Sequence, residues 1–390
     1  MTPTATPTVG IVGAGQLARM LIEAATPLDV PIRLLAATPD DGAARISPNV
    51  ALGSPKSADD LLAFAERCDV LTFDHELVNL EAIRQIEAAG TLVRPSANAL
   101  LHAQDKLHQR TAFAARGLPV PPVAPVATLE EIDAFAARHG WPVVAKARRD
   151  GYDGRGVWIV EHRDDAAHLL TEATANGVEL LAEAFVPIDR ELAGLVARRP
   201  GGETVVYPVV ETVQRNGICH EVIAPAAIAP ALARRAAELT EAVADAIDLV
   251  GVMALELFLA GEELLINEIA TRPHNSGHFT IEACAASQFE NHLRAILDWP
   301  LGGASLRAPT AVMVNLLGRG DEEVGQGLPA ALRASPDIHV HLYGKAARSG
   351  RKIGHVTALG NDPEDTRERA LAAAERLMDA TATPAKGLAG

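Results

Sequence analysis

Cysteine is scarce in this chain: three residues, Cys68, Cys219 and Cys284, far apart and odd in number. Such spacing argues against a disulfide framework or a zinc knuckle, and the thiols read as buried apolar groups in a reducing compartment. Cations are short as well, 35 Lys and Arg against 50 Asp and Glu, for a net charge of −15. That balance weighs against binding nucleic acid or an anionic membrane, so any phosphate ligand needs a local cationic cluster. No uninterrupted apolar run reaches the ~20 residues of a membrane helix. Residues 1–8, MTPTATPT, lack the cationic and apolar regions of a signal peptide. A cytoplasmic protein of two or three domains is expected.

What the chain does have is concentrated at 143–157, VVAKARRDGYDGRGV. An apolar run ends in Lys146, and three glycines within 151–156 leave backbone N–H groups uncovered. Such a loop can fold over an anion, with Lys146, Arg148, Arg149 and Arg155 adding charge. It is neither the Walker loop, which closes on G-K-S/T, nor the kinase loop, whose lysine follows the glycines. A polar hairpin tip is the alternative.

Ahead of it, Val9–Val12 runs as a strand into Gly13-Ala14-Gly15-Gln16-Leu17-Ala18 and a helix over 19–25. This strand, glycine turn and helix suggest a mononucleotide-type α/β half with an anion site at the helix N-terminus. A strand over 32–37, a helix over 61–67, a strand at Val70–Phe73 and a helix over 81–89 continue the alternation. Asp74-His75-Glu76 then stands at a strand's carboxyl end, where ligands collect in open α/β sheets. Residues 92–95 close the first domain, and 105–115 opens the next as a helix.

Further on come an amphipathic helix over Leu129–His139, strands over 180–185 and 204–210, and a long helix over 230–249. The strands 252–259 and 264–270 each carry one carboxylate among apolar residues, Glu256 and Glu268. With an odd-length loop the two lie opposite one another and repel, a cost that a divalent cation would turn into a site. A four-residue loop would put them on opposite faces. Asn267 adds an oxygen ligand to the second strand. Residues 271–278, TRPHNSGH, form a polar loop opening a helix over 280–286, suited to an oxyanion or phosphate. Strands at 310–316, 338–342 and 355–358 and a helix over 364–380 complete the chain, with Lys345, Arg348, Arg351 and Lys352 clustered between strands.

Taken in order, G-x-G-Q-L (13–17), K-x-R-R-x-G-Y-D-G-R-G (146–156), M-A-L-E (253–256), N-E-I-A-x-R-P-H-N-S-G-H (267–278) and G-R-K-I-G-H (350–355) resemble the ATP-grasp ligases. Within them the resemblance is to the 5-(carboxyamino)imidazole ribonucleotide synthases of purine biosynthesis, over about residues 9–360. It implies an α/β ATP-grasp fold: a tail at 1–8, a Rossmann-like pre-ATP-grasp domain at 9–104, a two-lobed ATP-grasp domain at 105–305 and a small β-rich domain at 306–382.

The resemblance also implies roles. Lys106 and Lys146 would hold the ATP phosphates under the loop Gly151, Tyr152, Asp153, Gly154, Arg155 and Gly156. Glu183, Ala184, Phe185 and Val186 would meet adenine, and Glu191 the ribose. Glu256 and Glu268, with Asn267 beside them, would bind two magnesium or manganese ions. The aminoimidazole ribonucleotide would place its phosphate on Gln16, Leu17, Lys345, Arg351 and Lys352, with Glu76 on its ribose or ring. Tyr152, Asp153, Arg155, Arg272, His274 and Asn275 would surround the carboxylation centre. The implied assembly is a homodimer acting on small molecules: ATP, bicarbonate and the ribonucleotide.

Two positions depart from the family pattern. Asp74-His75-Glu76-Leu77 replaces Glu-aromatic-Glu-Asn, and Gln214 stands where a histidine is expected. The alternatives are a related ATP-grasp ligase using formate or another amine, a nicotinamide oxidoreductase suggested by the first glycine turn, and a nucleotide sensor without turnover.

Overall fold

The computed structural model describes residues 6–151, 155–320 and 325–379. At the N-terminus, alternating strands and helices build a five-stranded parallel sheet. Its order is Val50–Leu52, Ile32–Ala36, Val9–Val12, Val70–Phe73, Leu92–Val93. Both faces are covered, so the strands read as continuous apolar runs rather than alternating ones. Adjacent residues feed opposite layers: Ile11 and Leu34 pack with Leu21 and with Phe289 and Leu293 of helix Gln288–Ile296. Val12 and Leu35 pack instead with Phe64, Phe73 and Ile83.

A four-stranded antiparallel sheet follows, ordered Val123–Val126, Leu180–Ala184, Val143–Ala147, Val157–Val160. Helices Leu129–His139 and Arg163–Ala175 cover one face, with Ile132, Phe135 and Leu169 packing on Val143, Ala145 and Ala182. The other face carries Lys146.

The remaining strands form one nine-stranded sheet. It starts with Glu263–Ala270, Gly251–Ala260, Arg190–Arg198, Val210–Arg215 and Ile218–Ala224. It continues through Thr310–Leu317, Lys352–Gly360 and His339–Leu342. Glu221 to Ala224 pair antiparallel with Val314 to Ala311, so hydrogen bonding runs unbroken across the expected boundary at 305 and 306.

Local departures from the sequence reading have physical causes. The strand expected over 204–210 is two pieces on one edge of Arg190–Arg198. Thr204–Val206 pairs at Val196 to Arg198, and pairing resumes on the same edge at Val210, opposite Ala193, while Gly251–Ala260 holds the other edge. Pro208, without an N–H to donate, stands in the gap between them. The helix expected over 280–286 is a single turn, Thr280–Ala283, after which Cys284 bridges to Leu306. A helix at Leu328–Ala334 went unpredicted. Among the described residues no helix is long and apolar enough to cross a membrane.

Candidate active site

Glu256 and Glu268 do face each other, but not for the reason the sequence suggests. Ala260 pairs with Glu263, so the turn is two residues, Gly261-Glu262, with Gly261 at φ 61°. An even turn of that length would set Glu256 against Asn267. A register shift beside Glu256 makes Asn267 the extra residue of a β-bulge, and Glu256 then pairs with Glu268. The Asn267 carbonyl accepts from Arg110 Nη2, which holds the bulge from outside the sheet.

The pair is electrostatically unequal. Burial and the carboxylates of Glu268 and Glu191 push Glu256 up to about 8. Asn267 Nδ2 donates to it at 3.2 Å, and His274 Nε2 faces it at 3.6 Å. Burial acts upward on Glu268 too, but Lys106, bonded to it, with Lys146 and Arg110 behind, holds it below the ordinary carboxylate value. Glu191 lies on the same face, opposite Phe258 and two residues from the partner of Glu256. Burial raises its pKa, and Gln214 hydrogen-bonds to it. Glu256 and Glu268, with Glu191 on the same face, fit a divalent ion. Among the described residues no cluster of three or more His, Cys, Asp or Glu makes a metal cage by itself. Phosphate oxygens would complete the coordination, as is usual for magnesium.

Across the cleft, Lys146 Nζ lies 2.5 Å from Glu183 Oε2, while Arg110 Nε donates to Glu183 Oε1 at 2.6 Å. Glu183 is 2% exposed. Both its oxygens are engaged and its carboxylate points to Lys146, so its side chain does not serve as an adenine contact. The Ala184 N–H is also taken, by the Pro122 carbonyl at 3.0 Å. What remains open to a base is Phe185, 44% exposed, and the following Val186. Val157 and Ile159 are exposed and pair with Lys146 and Val144, so they share the Lys146 face. Phe258 rises from the opposite sheet, its ring 5.9 Å from Lys146 Nζ. Arg110, Ile159 and Phe258 escaped the sequence reading; an apolar residue on a polar strand face was the available signal.

Gly151, at the start of the glycine loop, comes to this site. A Cβ on Gly151 would come 3.7 Å from Lys106 Cε, and the carbonyl of Gly156, a residue at φ 76°, accepts from the Ala147 N–H at 2.7 Å. Tyr152, Asp153 and Gly154 lie outside the described residues, and Arg155 is exposed beside them. Arg148 and Arg149 have another task. Both bind Asp105, at 2.8 Å each, and the carboxylate they neutralise also caps the helix Lys106–Ala115 through His108 N–H. Burial opposes these hydrogen bonds, yet Asp105 is held down to about 2.

The second half of the site lies at the first sheet. The N-terminus of helix Gln16–Ala25 already holds an anion, because Asp74 accepts from the N–H of Gly15 and, at 3.0 Å, of Ala18. The expected anion site at the glycine turn is therefore partly filled by the protein itself. Lys345 Nζ bonds Gln16 Oε1, with Leu17 next along the helix, and stands 6.0 Å from the Tyr343 ring. Burial lowers the Lys345 pKa, Asp74 opposes this, and Arg351 and Lys352 lie within electrostatic reach. Arg351 Nη1 donates to the Ala346 carbonyl at 3.1 Å.

The loop 271–278 joins the two halves. Arg272 Nε bonds Glu76 Oε2 at 2.9 Å. Burial, with Arg272 and Lys352 nearby, lowers His274 to about 3. Its Nδ1 accepts from Ser276 N–H at 3.3 Å, leaving Nε2 toward Glu256. Asn275 departs from expectation. Its amide exchanges bonds of 2.8 and 2.7 Å with Asn315, so it pins the loop to the third sheet instead of facing the reaction centre.

Three family models match in sequence: the ribonucleotide synthetase preATP-grasp domain over residues 6–104, the ATP-grasp domain over 111–289, and the phosphoribosylaminoimidazole carboxylase C-terminal domain over 311–369. The N5-carboxyaminoimidazole ribonucleotide synthase of Mycobacterium tuberculosis H37Rv is 48% identical, covering 95% of this chain and 88% of its own. The crystal structure of the Thermus thermophilus synthetase is 39% identical, with a TM-score of 0.85 over 96% of this chain and 99% of that one. The Aspergillus clavatus synthase, solved with ADP and 5-aminoimidazole ribonucleotide, is 33% identical, with a TM-score of 0.88 over 95% and 98%. By sequence, by domain order and by fold, this chain belongs to the N5-carboxyaminoimidazole ribonucleotide synthase family of ATP-grasp ligases.

Proposed function

We propose that the protein carboxylates 5-aminoimidazole ribonucleotide on its exocyclic amine, consuming ATP and bicarbonate, to give N5-carboxyaminoimidazole ribonucleotide. One observation carries the reading: the Glu256 and Glu268 pair, Lys106, Lys146 and the Gly151 turn meet in one cleft. Arg272, His274 and Lys352 continue that cleft toward Gln16 and Lys345, where a second phosphate would be held.

Lys106 and Lys146 would bind and orient the triphosphate, with Val157, Ile159, Phe185 and Phe258 offering apolar surface to the base and Glu191 an acceptor to the ribose. Two magnesium or manganese ions on Glu256 and Glu268 would neutralise triphosphate charge. Bicarbonate attacks the γ-phosphorus, the bond to the β-phosphate oxygen breaks, and ADP leaves with carboxyphosphate formed. Loop 151–156, closed over the cleft, would keep water from that short-lived anhydride. Carboxyphosphate breaks its C–O bond to give carbon dioxide and phosphate, and the amine nitrogen attacks the carbon. Asp153 is assigned the amine proton, and Arg155 and Arg272 the anionic intermediate. His274, kept neutral, presents Nε2 to Glu256 instead of adding positive charge. Asn275 positions this loop through Asn315.

Coupled measurement of ADP release, omitting each substrate in turn, tests the proposal. ADP release that needs both bicarbonate and aminoimidazole ribonucleotide supports it, and release with formate or another amine in their place would replace it with the sister activity. A homodimer in the cytoplasm is proposed from the family resemblance, and sedimentation equilibrium tests the assembly.

A further inference from the structure

Lys106 is bonded to Glu268, one of the two carboxylates that would bind metal. Its backbone is fixed: its N–H donates to the Arg148 carbonyl at 2.9 Å, Asp105 caps its helix, and Arg110, one turn on, is locked between Glu183 and Asn267. Only the Lys106 stem is at liberty to swing, under Gly151. The other carboxylate is covered too, by the Asn267 amide donor at 3.2 Å. Without nucleotide, then, the site supplies its own positive charge, and a dication arriving alone would have to displace an ammonium from the carboxylate it already pairs with. With only two protein carboxylates on offer, it would gain little coordination in return.

We infer that Lys106 is a movable counter-ion, seated on Glu268 until a polyphosphate draws it away, so that divalent metal binds to the protein only together with nucleotide. This rests on the metal assignment above and adds its regulation. When the phosphates enter, the ammonium exchanges a carboxylate oxygen for a phosphate oxygen, Glu268 is uncovered, and the same phosphates complete the metal's coordination. Each ligand thereby raises the affinity of the other, as linkage requires.

Electron paramagnetic resonance of free Mn2+ reads the binding directly, without turnover. Titrations would compare the wild type, Lys106→Met, Lys106→Gln and the double variant Lys106→Met/Glu268→Gln, each without nucleotide and with ADP. Near-ultraviolet circular dichroism checks that each variant is folded, and the two single variants back each other up. The expected result is that Lys106→Met and Lys106→Gln bind Mn2+ without nucleotide about tenfold or more tighter than the wild type. That gain should vanish in the double variant. Single variants no tighter than the wild type, while all three gain Mn2+ with ADP, would overturn the counter-ion role and leave the metal assignment standing. A gain surviving in the double variant would also overturn it. Failure of the wild type to bind Mn2+ even with ADP would remove the metal assignment itself.

Discussion

Asn275 and Asn315, forty residues apart, exchange two amide hydrogen bonds in the protein interior, and Asn315 also donates to the Cys219 carbonyl at 2.9 Å. This closed pair fastens the 271–278 loop to the strand Thr310–Leu317. Replacing either residue with alanine leaves a buried amide without its partner, at a cost of about 1–3 kcal/mol. The double variant should cost less than the sum of the singles, because it removes both orphans. Urea unfolding of the four proteins checks this. Full stability in Asn275→Ala with a collapsed kcat would return Asn275 to the reaction centre.

Glu268→Gln keeps the shape of the side chain and removes its charge. Turnover should be abolished while the thermal midpoint stays near that of the wild type. ADP release and differential scanning fluorimetry measure the two. Undiminished activity would end the metal role of this residue.

Lys345 reaches Gln16 from the far end of the chain and brings an ammonium to the first residue of helix Gln16–Ala25. Lys345→Met should raise the KM for aminoimidazole ribonucleotide roughly ten- to a hundredfold, the range of a charged hydrogen bond worth about 1.5–3 kcal/mol. The KM for ATP should not move. Equal rises in both constants would mean that Lys345 supports the fold and not the ribonucleotide.

Acid should destabilise the protein before the carboxylates of ordinary pKa titrate. His292 is buried, with Nε2 on Thr72 Oγ1 at 2.8 Å and Nδ1 accepting from Val252 N–H at 3.1 Å. Burial lowers it to about 3, and burial with the neighbouring His108 lowers His102 to about 4. Their folded pKa values lie below the unfolded ~6.5, so the unfolded chain takes up protons first. The stability they provide is present above pH ~6.5 and falls as pH drops through the window toward 4, by about 1.4 kcal/mol per pH unit for each histidine. Glu221, held to about 2 against burial by His220 and Arg367, loses its share only below the ordinary carboxylate range. Urea unfolding at pH 7, 6 and 5 reads the slope. A His292→Gln variant should have a shallower one, and a flat wild-type profile would contradict this account.

Much of this was legible in the sequence because its signals are local. The glycine turn at 13–18, the capped helix after Asp105 and the two acidic residues in apolar strands can each be seen within a dozen residues. The family resemblance then supplied the domain order. What stayed hidden depends on partners distant in sequence. The register of Glu256 and Glu268 is set by a bulge bound to Arg110, 157 residues from Asn267, and nothing in the strand pattern reveals it. Arg110 itself carries no sequence signal that singles it out, yet it is fully buried. Asn275 sits in a polar loop where loop hydrogen bonding is one reading of it, but its partner Asn315, forty residues on, is not visible from the loop. Arg148 and Arg149 looked like loop cations until Asp105 came within 2.8 Å of both.

The unbroken pairing from Ile218–Ala224 into Thr310–Leu317 bears on how this protein can move. Glu256, Glu268 and Lys352 ride on one slab of nine strands, so the spacing among them is set when the chain folds. Among the described residues the four-stranded lobe shares no strand pairing with that slab. Arg110 is the clasp between them, one arm on Glu183 of the lobe and the other on the Asn267 carbonyl of the slab.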